Sequence, residues 1–331
     1  MASTNRISRL VLVGASGNVG APTLKHLLAT SSQTNLHITV LTRPESHATF
    51  PSHPSLTVKT GTYDDPTFLQ EVFAGQEAVM FALSFFAIAH EKSMIEAAAR
   101  AGVRWIIPNE YAGDGLNAEM VDAVPVFHPK RDTRKYIEDL GRTYPGLRWI
   151  GVATNPFLEF CLQRKLFGID QDAKTATLYP DAGRFNTTSL ERIGLTIARL
   201  LALPITDEAD PRSSLTHYAN GFLYTSSFCV SQTELLRAIQ RLMGSAPEEW
   251  EVDEGKTVKG WIEGCREAMK NGDAKGAWGL TFAYYMGEGL GGNYEKKARE
   301  DRRVLGLEGE EENLDEVVKR ALRGGSLPKV V

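Results

Sequence analysis

Cysteine is scarce: Cys161, Cys229 and Cys265 stand far apart in 331 residues and are odd in number. With no Cys-x-x-Cys pair, neither a disulfide framework nor a thiolate zinc site is expected. The seven histidines are scattered, without the His-Glu-x-x-His spacing that would set two on one helix face, so no metal is expected either. An excess of one charge is also lacking. The net charge of −4 and a pI near 6.0 supply no basic field for nucleic acid. No run approaches the roughly 18 apolar residues that span a bilayer, and the opening MASTNRIS has no apolar signal core. The chain therefore reads as cytoplasmic, with neither nucleic acid nor membrane as a partner.

What is present is concentrated near the N-terminus. Residues 8–20, SRLVLVGASGNVG, run from an apolar, β-branched stretch into Gly14, Gly17 and Gly20, and the amphipathic APTLKHLLA follows. Strand, glycine turn and helix, in that order, are the context in which G-x-x-G-x-x-G marks a dinucleotide site. Gly14 permits the tight turn, Gly17 lets backbone approach a pyrophosphate, and Gly20 lets helix pack on strand. Ser16, Asn18 and Val19 complete the loop, whose N–H groups at the helix start attract phosphate.

Length and an apolar fraction of 42% allow one large domain or two ordinary ones. Strands are predicted at 9–13, 36–41, 55–59, 78–83, 103–107 and 148–153, and helices at 18–30, 66–74, 88–101 and 129–142. Short apolar strands alternating with helices specify α/β architecture, a doubly wound parallel sheet of the Rossmann type. After about residue 156 the alternation fades. Helices are predicted at 189–203, 231–242, 255–271 and 312–322, and the acidic run near 307–316 reads as a solvated helix start. The division expected is a dinucleotide-binding domain over 1–156 and a smaller mixed α/β substrate portion over 157–331, some of whose strands return to the first sheet.

The end of the second strand distinguishes the two nicotinamide dinucleotides. An acid there selects NAD, and an arginine accommodates the 2′-phosphate of NADP. This strand ends Leu41-Thr42-Arg43-Pro44, with no acid before Glu45. Arg43, with its planar fork, points to NADPH.

The Tyr-x-x-x-Lys proton relay of ordinary short-chain dehydrogenases is missing, since none of the ten tyrosines has Lys four residues on. In its place stands Phe127-His128-Pro129-Lys130-Arg131-Asp132-Thr133-Arg134-Lys135-Tyr136-Ile137-Glu138. Lys130, Arg134 and Glu138 share one helix face, and Pro129 suits the first turn. This K-x-x-x-R-x-x-x-E string, behind the N-terminal glycine motif, resembles the NmrA-like and isoflavone reductase-like families, which are atypical short-chain dehydrogenases. Residues 97–111, AAARAGVRWIIPNEY, resemble the same families' Ala-rich helix, strand and P-S-E-[FY]-G segment, with Asn109 for the usual serine and Ala112 where glycine is common. Thr154-Asn155-Pro156-Phe157 resembles the T-x-x-F string after the sixth strand. The likeness covers residues 8–160 and is only general beyond them.

The resemblance implies NADPH as cofactor and Lys130 as general acid/base beside the nicotinamide. Arg131 and Arg134 close by would favour its neutral form. Ser84 and Phe85 after the fourth strand, Asn109 after the fifth, and Thr154, Asn155 and Phe157 after the sixth are expected along the cofactor. Tyr111, His128 and Phe160 are candidates for the substrate side. Phe185, Trp261, Trp278, Phe282, Tyr284 and Tyr285 supply aromatic surface for core or cleft. The expected function is hydride transfer from NADPH to a small carbonyl, enone, imine or phenylpropanoid-type secondary metabolite. Two alternatives stay open: an NmrA-like NADP(H) sensor that binds a protein partner without turnover, and a cofactor-assisted isomerase or cyclase.

Overall fold

The computed structural model describes residues 5–323, apart from the side chains of Phe85 and Phe86. Its first half alternates β1 (Arg9–Val13), α1 (Gly20–Thr34), β2 (His37–Thr42), β3 (Leu56–Thr60), α2 (Pro66–Phe73), β4 (Ala78–Phe81), α3 (Glu91–Arg100), β5 (Trp105–Ile107), α4 (Ala118–Ala123), α5 (His128–Thr143) and β6 (Arg148–Ala153). The second half holds α6 (Leu158–Gln163), β7 (Ile169–Asp170), β8 (Thr175–Thr177), β9 (Phe185–Thr187), α7 (Leu190–Leu201), β10 (Gly221–Tyr224), β11 (Phe228–Val230), α8 (Gln232–Met243), β12 (Glu251–Asp253), α9 (Val258–Lys270), α10 (Lys275–Met286), α11 (Glu295–Val304) and α12 (Leu314–Leu322).

Seven strands form one parallel sheet in the order β10-β6-β5-β4-β1-β2-β3. Leu10 to Val13 and Ala78 to Phe81 are fully buried because helices cover both faces. On one face α1 and α7 close over β1 and β4 through Leu24, Leu27, Ile193 and Ile197. On the other, α2, α3 and α5 bury Leu69, Phe73, Met94, Ile95 and Ile137. The strand order reverses direction between β1 and β4, and this doubly wound topology opens a crevice at the carboxyl ends of those strands.

The second half contributes to both parts of the molecule. β10 extends the large sheet beside β6, and α7 packs on α1 so closely that a Cβ on Gly194 would lie 2.5 Å from the Pro22 carbonyl carbon. The rest builds a separate core around Leu158, Phe167, Phe185, Leu235, Leu280 and Val318, with a two-stranded sheet β11-β9 and a three-stranded mixed sheet β12-β8-β7.

Several elements differ from the sequence expectation, each for a physical reason. The helix predicted at 88–101 is a 3₁₀ stretch, Phe85–His90, followed by α3. The strand predicted from 103 begins at Trp105, because Gly102 turns at φ +89° and Val103 N–H still caps the helix at the Ala98 carbonyl. No helix is predicted over α10 and α11. α10 is buried continuously from Leu280 to Met286, and α11 buries only Ala298 and Asp301, so neither shows an apolar stripe of period 3.6.

The acidic run is not merely solvated. Glu310 pairs with Arg199 and its carbonyl accepts from Arg192, Glu312 accepts from the Ser189 and Ser227 hydroxyls, and Asp315 pairs with Arg241. It straps the C-terminal segment across α7 and α8. Gly194→Ala is expected to force α1 and α7 apart and to lower stability by about 1–3 kcal/mol in thermal or urea unfolding; unaltered stability would show that this contact carries no load.

Candidate active site

The glycine loop is built by close backbone approach. Gly14 has φ +84°, and a Cβ there would lie 2.2 Å from the Ala82 carbonyl oxygen; one on Gly20 would lie 2.1 Å from the Gly14 oxygen. Both positions are closed to any side chain. Gly17 differs, because its nearest neighbours would be 3.4 and 3.6 Å away. The protein's own packing therefore admits a methyl at 17, and glycine there leaves open a space beside the start of α1. That helix has no side-chain cap at Val19 and no acid in its first turn, and Ser16 is exposed. An uncapped helix start with an open cradle suits a phosphate group.

Arg43 follows β2, with its side chain 45% exposed and a loose contact to Glu45 at 3.4 Å. Its charge is felt at buried Tyr63, where desolvation nevertheless keeps the phenol raised. Ser84 is exposed after β4 and makes no cap bond into the 3₁₀ turn. Phe85's side chain lies outside the described residues.

Beside the crevice, just after β5, stands Asn109. Its side chain joins the ends of β4 and β5: Oδ1 accepts from Leu83 N–H at 3.1 Å and Nδ2 donates to the Leu83 carbonyl at 3.3 Å. Its own N–H donates to Glu91 Oε1 at 2.7 Å, and its carbonyl accepts from Lys130 Nζ. Lys130 reaches this point because Pro129 starts α5 against the ends of the central strands, and the lysine is half-buried in the first turn. A cavity of about 340 Å³ opens here between the starts of α3 and α5, lined by Glu91, Asn109, Glu110, Lys130 and Thr133 among others.

The other motif residues do different work. Arg134, buried, donates to Glu110 Oε1 at 2.5 Å and to the Gly115 carbonyl at 2.9 Å, and lies over the rings of Phe222 and Trp149. Glu138 accepts the Trp149 indole N–H at 3.0 Å. Arg131 pairs with Asp132 at 3.2 Å and Asp122 at 3.5 Å. The guanidiniums expected to crowd Lys130 are thus each committed to carboxylates.

None of the remaining predicted residues is among those that line this cavity. Thr154 and Asn155 are buried: the Thr154 hydroxyl donates to the Asn155 carbonyl, and the Asn155 amide donates to the carbonyls of Asn186 and Gly292. Asn155 Oδ1 is buried with no partner among the described residues. Phe157 is half-buried against the α1/α7 face, and Phe160 packs on the second core beneath Arg164. His128 contacts the Asp122 carbonyl at 3.3 Å. Tyr111 has a buried hydroxyl with no partner among the described residues, and burial, followed by the charges of Glu91 and Glu110, holds its phenol well above the usual range. Of the aromatic reserve, Phe185, Phe282, Tyr284 and Tyr285 are core, Trp261 stacks on Tyr179 at 4.5 Å, and Trp278 is exposed.

Glu91 was missed by the sequence reading. An acid at the start of a helix reads as ordinary dipole complementation; here the carboxyl is buried, and desolvation raises its pKa from 4.5 to about 7 despite the Asn109 N–H bond and the Lys130 charge. With the folded pKa raised, its contribution to stability is fully present below pH 4.5 and lost as pH rises through 7. Glu91→Gln, which keeps an acceptor for Asn109, is expected to be more stable than wild type above about pH 7, by up to about 3 kcal/mol, and equal to it in acid. Thermal melts across pH check this; a variant less stable at every pH would contradict it.

A doubly wound sheet with a glycine cradle, an uncapped helix start and a lysine at the strand ends defines a dinucleotide-fold protein of the atypical short-chain dehydrogenase kind. The NmrA-like family pattern matches residues 6–177, more than half of the chain, and the protein belongs to that family. Oxidoreductase aprR of Aspergillus flavus is 28% identical over 325 residues, 96% of this chain and 99% of that protein. Oxidoreductase poxI of Penicillium oxalicum is 27% identical over 323 residues, 95% of this chain and 94% of that one. Among solved structures, AtPrR2 with NADP+ and (+)pinoresinol superposes with a TM-score of 0.67 at 18% identity, covering 95% of this chain and 98% of the other. The triphenylmethane reductase of Citrobacter sp. gives 0.65 at 17%, covering 95% and 99%. At these identities the structures establish a shared fold.

Proposed function

We propose that the chain is an NADPH-dependent reductase acting on a small organic molecule of carbonyl, enone, imine or phenylpropanoid type. The observation that carries this reading is the position of Lys130, with Nζ held on the Asn109 carbonyl where the ends of β4 and β5 are clamped together. Its neighbours in the family support it: two curated relatives are named oxidoreductases, and structures of the same fold were determined with NADP+ or NADP(H).

The Gly14–Gly20 loop and the start of α1 would hold the pyrophosphate, and Arg43 the 2′-phosphate. Ser84 and Asn109 would lie along the ribose and nicotinamide. Thr154, Asn155 and Phe157 would shape the floor of the crevice through their backbone rather than by polar contact. When bound, the dinucleotide supplies a hydride. Lys130 Nζ then gives its proton to the oxygen or nitrogen left negative on the substrate and recovers one from solvent. Tyr111, His128 and Phe160 would border the substrate; the raised phenol of Tyr111 keeps its proton, so it serves as a hydrogen-bond donor rather than an acid.

Lys130→Ala is expected to lower kcat for NADPH oxidation by about 100-fold or more while leaving NADPH affinity within a few-fold. The check follows 340 nm absorbance against a panel of aryl ketones, enones, imines and lignan-type ethers. Wild-type turnover in the variant would remove the role. Tight NADPH binding with no turnover of any substrate would favour the sensor reading. Arg43→Glu is expected to weaken NADPH binding by about tenfold or more and NADH binding little; equal losses in fluorescence titrations would refute the 2′-phosphate assignment.

A further inference from the structure

Glu91 and Lys130 come from different helices, line the same cavity, and hold opposite ends of one residue. Glu91 Oε1 accepts the Asn109 N–H, and Lys130 Nζ donates to the Asn109 carbonyl. The other anions of this cavity are occupied elsewhere: Glu110 pairs with Arg134, and Asp132 with Arg131. Tying down a peptide N–H requires only a neutral acceptor, which glutamine offers. A carboxylate in this buried position works against folding once ionised, as its pKa near 7 shows. A charge retained at the expense of stability, beside the residue that handles the proton, indicates a use beyond structure.

We propose that Glu91 is the positioning residue and counter-charge of Lys130, fixing the Asn109 peptide on which the ammonium rests and balancing its charge across that peptide. The groups facing Glu91 are Lys92 on its own helix, Glu110 and Tyr111 from the segment after β5, and Lys130 from α5. Lys92 lies over the Tyr136 ring and Glu110 is bound to Arg134, which leaves Lys130 as the cation joined to Glu91 through Asn109. An ionised Glu91 sets an opposite charge against Lys130 across the Asn109 peptide, and a protonated one does not. The link therefore changes state within the neutral range.

The catalytic half of this inference rests on the reading of Lys130 as acid/base, so the test has two arms. In the first, wild type and Glu91→Gln are treated with an amine-directed acylating reagent at about pH 8, and mass spectrometry compares modification of Lys130 with that of exposed Lys25. The variant is expected to label Lys130 about threefold faster or more, because the charge that helps to hold it on the Asn109 peptide is gone; labelling at the wild-type rate overturns the proposal. In the second, kcat of the variant is expected to fall by about tenfold while KM for NADPH stays within about twofold and the protein remains at least as stable as wild type. The wild-type kcat should follow an ionisation near pH 7 that the variant lacks. A variant with the wild-type kcat and pH profile overturns the proposal. Should no substrate be turned over by wild type, the reductase reading fails by itself, and the labelling arm still decides whether Glu91 governs Lys130.

Discussion

One peptide holds the site together. Asn109 clamps the ends of β4 and β5 with its side chain, takes Glu91 on its N–H and carries Lys130 on its carbonyl. Parallel strands end in carbonyl and N–H groups that have no further strand to pair with, and the crevice would splay if these were left to water. A side-chain amide sets an N–H donor and a carbonyl acceptor in one plane, which copies a backbone pairing and satisfies both partners at once. The glycine loop depends on the same alignment, since Gly14 presses on the Ala82 carbonyl one residue before the clamp. Moving Asn109 would therefore shift the cradle, the lysine and the buried acid together.

The K-x-x-x-R-x-x-x-E string reads as a single ladder on one helix face, yet its members have separate tasks. Lys130 faces the cavity, Arg134 is a strut and Glu138 receives an indole. The strut is a buried ion pair, expensive to desolvate and tolerated because Arg134 also satisfies the Gly115 carbonyl and lies against two aromatic rings. It holds the segment after β5 against α5, so that the Asn109 carbonyl and the first turn of that helix keep their spacing. One oxygen of Glu110 still lacks a partner among the described residues, which keeps the neighbourhood of Tyr111 and Glu91 electronegative.

The second half joins the first through more than a linker. β10 extends the sheet beyond β6, α7 covers α1, and the acidic strap ties the start of α12 to α7 and α8. Charge density in that strap gave no hint of its use, because a run of glutamates looks alike whether it faces water or arginines from distant segments. Arg192 is buried beneath it, with Nε 3.5 Å from Glu312 Oε2 and Nη2 donating to the Glu310 carbonyl, so the strap neutralises a charge that the core of α7 could not otherwise keep.

Local pattern was enough for the parallel sheet, the glycine turn and the place of Lys130 at a helix start. Strand periodicity, positive φ at Gly14 and proline in a first turn act within a few residues, and these are what short-range sterics and burial encode. Family likeness, carried by residues 8–160, added the expectation that this lysine handles a proton. Tertiary contact decided the rest. Glu91 is an ordinary first-turn acid until β5 is set beside it. Asn109 is a serine replacement until Leu83 arrives from 26 residues away. Asn155 points into the protein because the carbonyls of Asn186 and Gly292 meet it there. Such polar partners are selected by geometry across the sheet, where no periodicity of the chain records them.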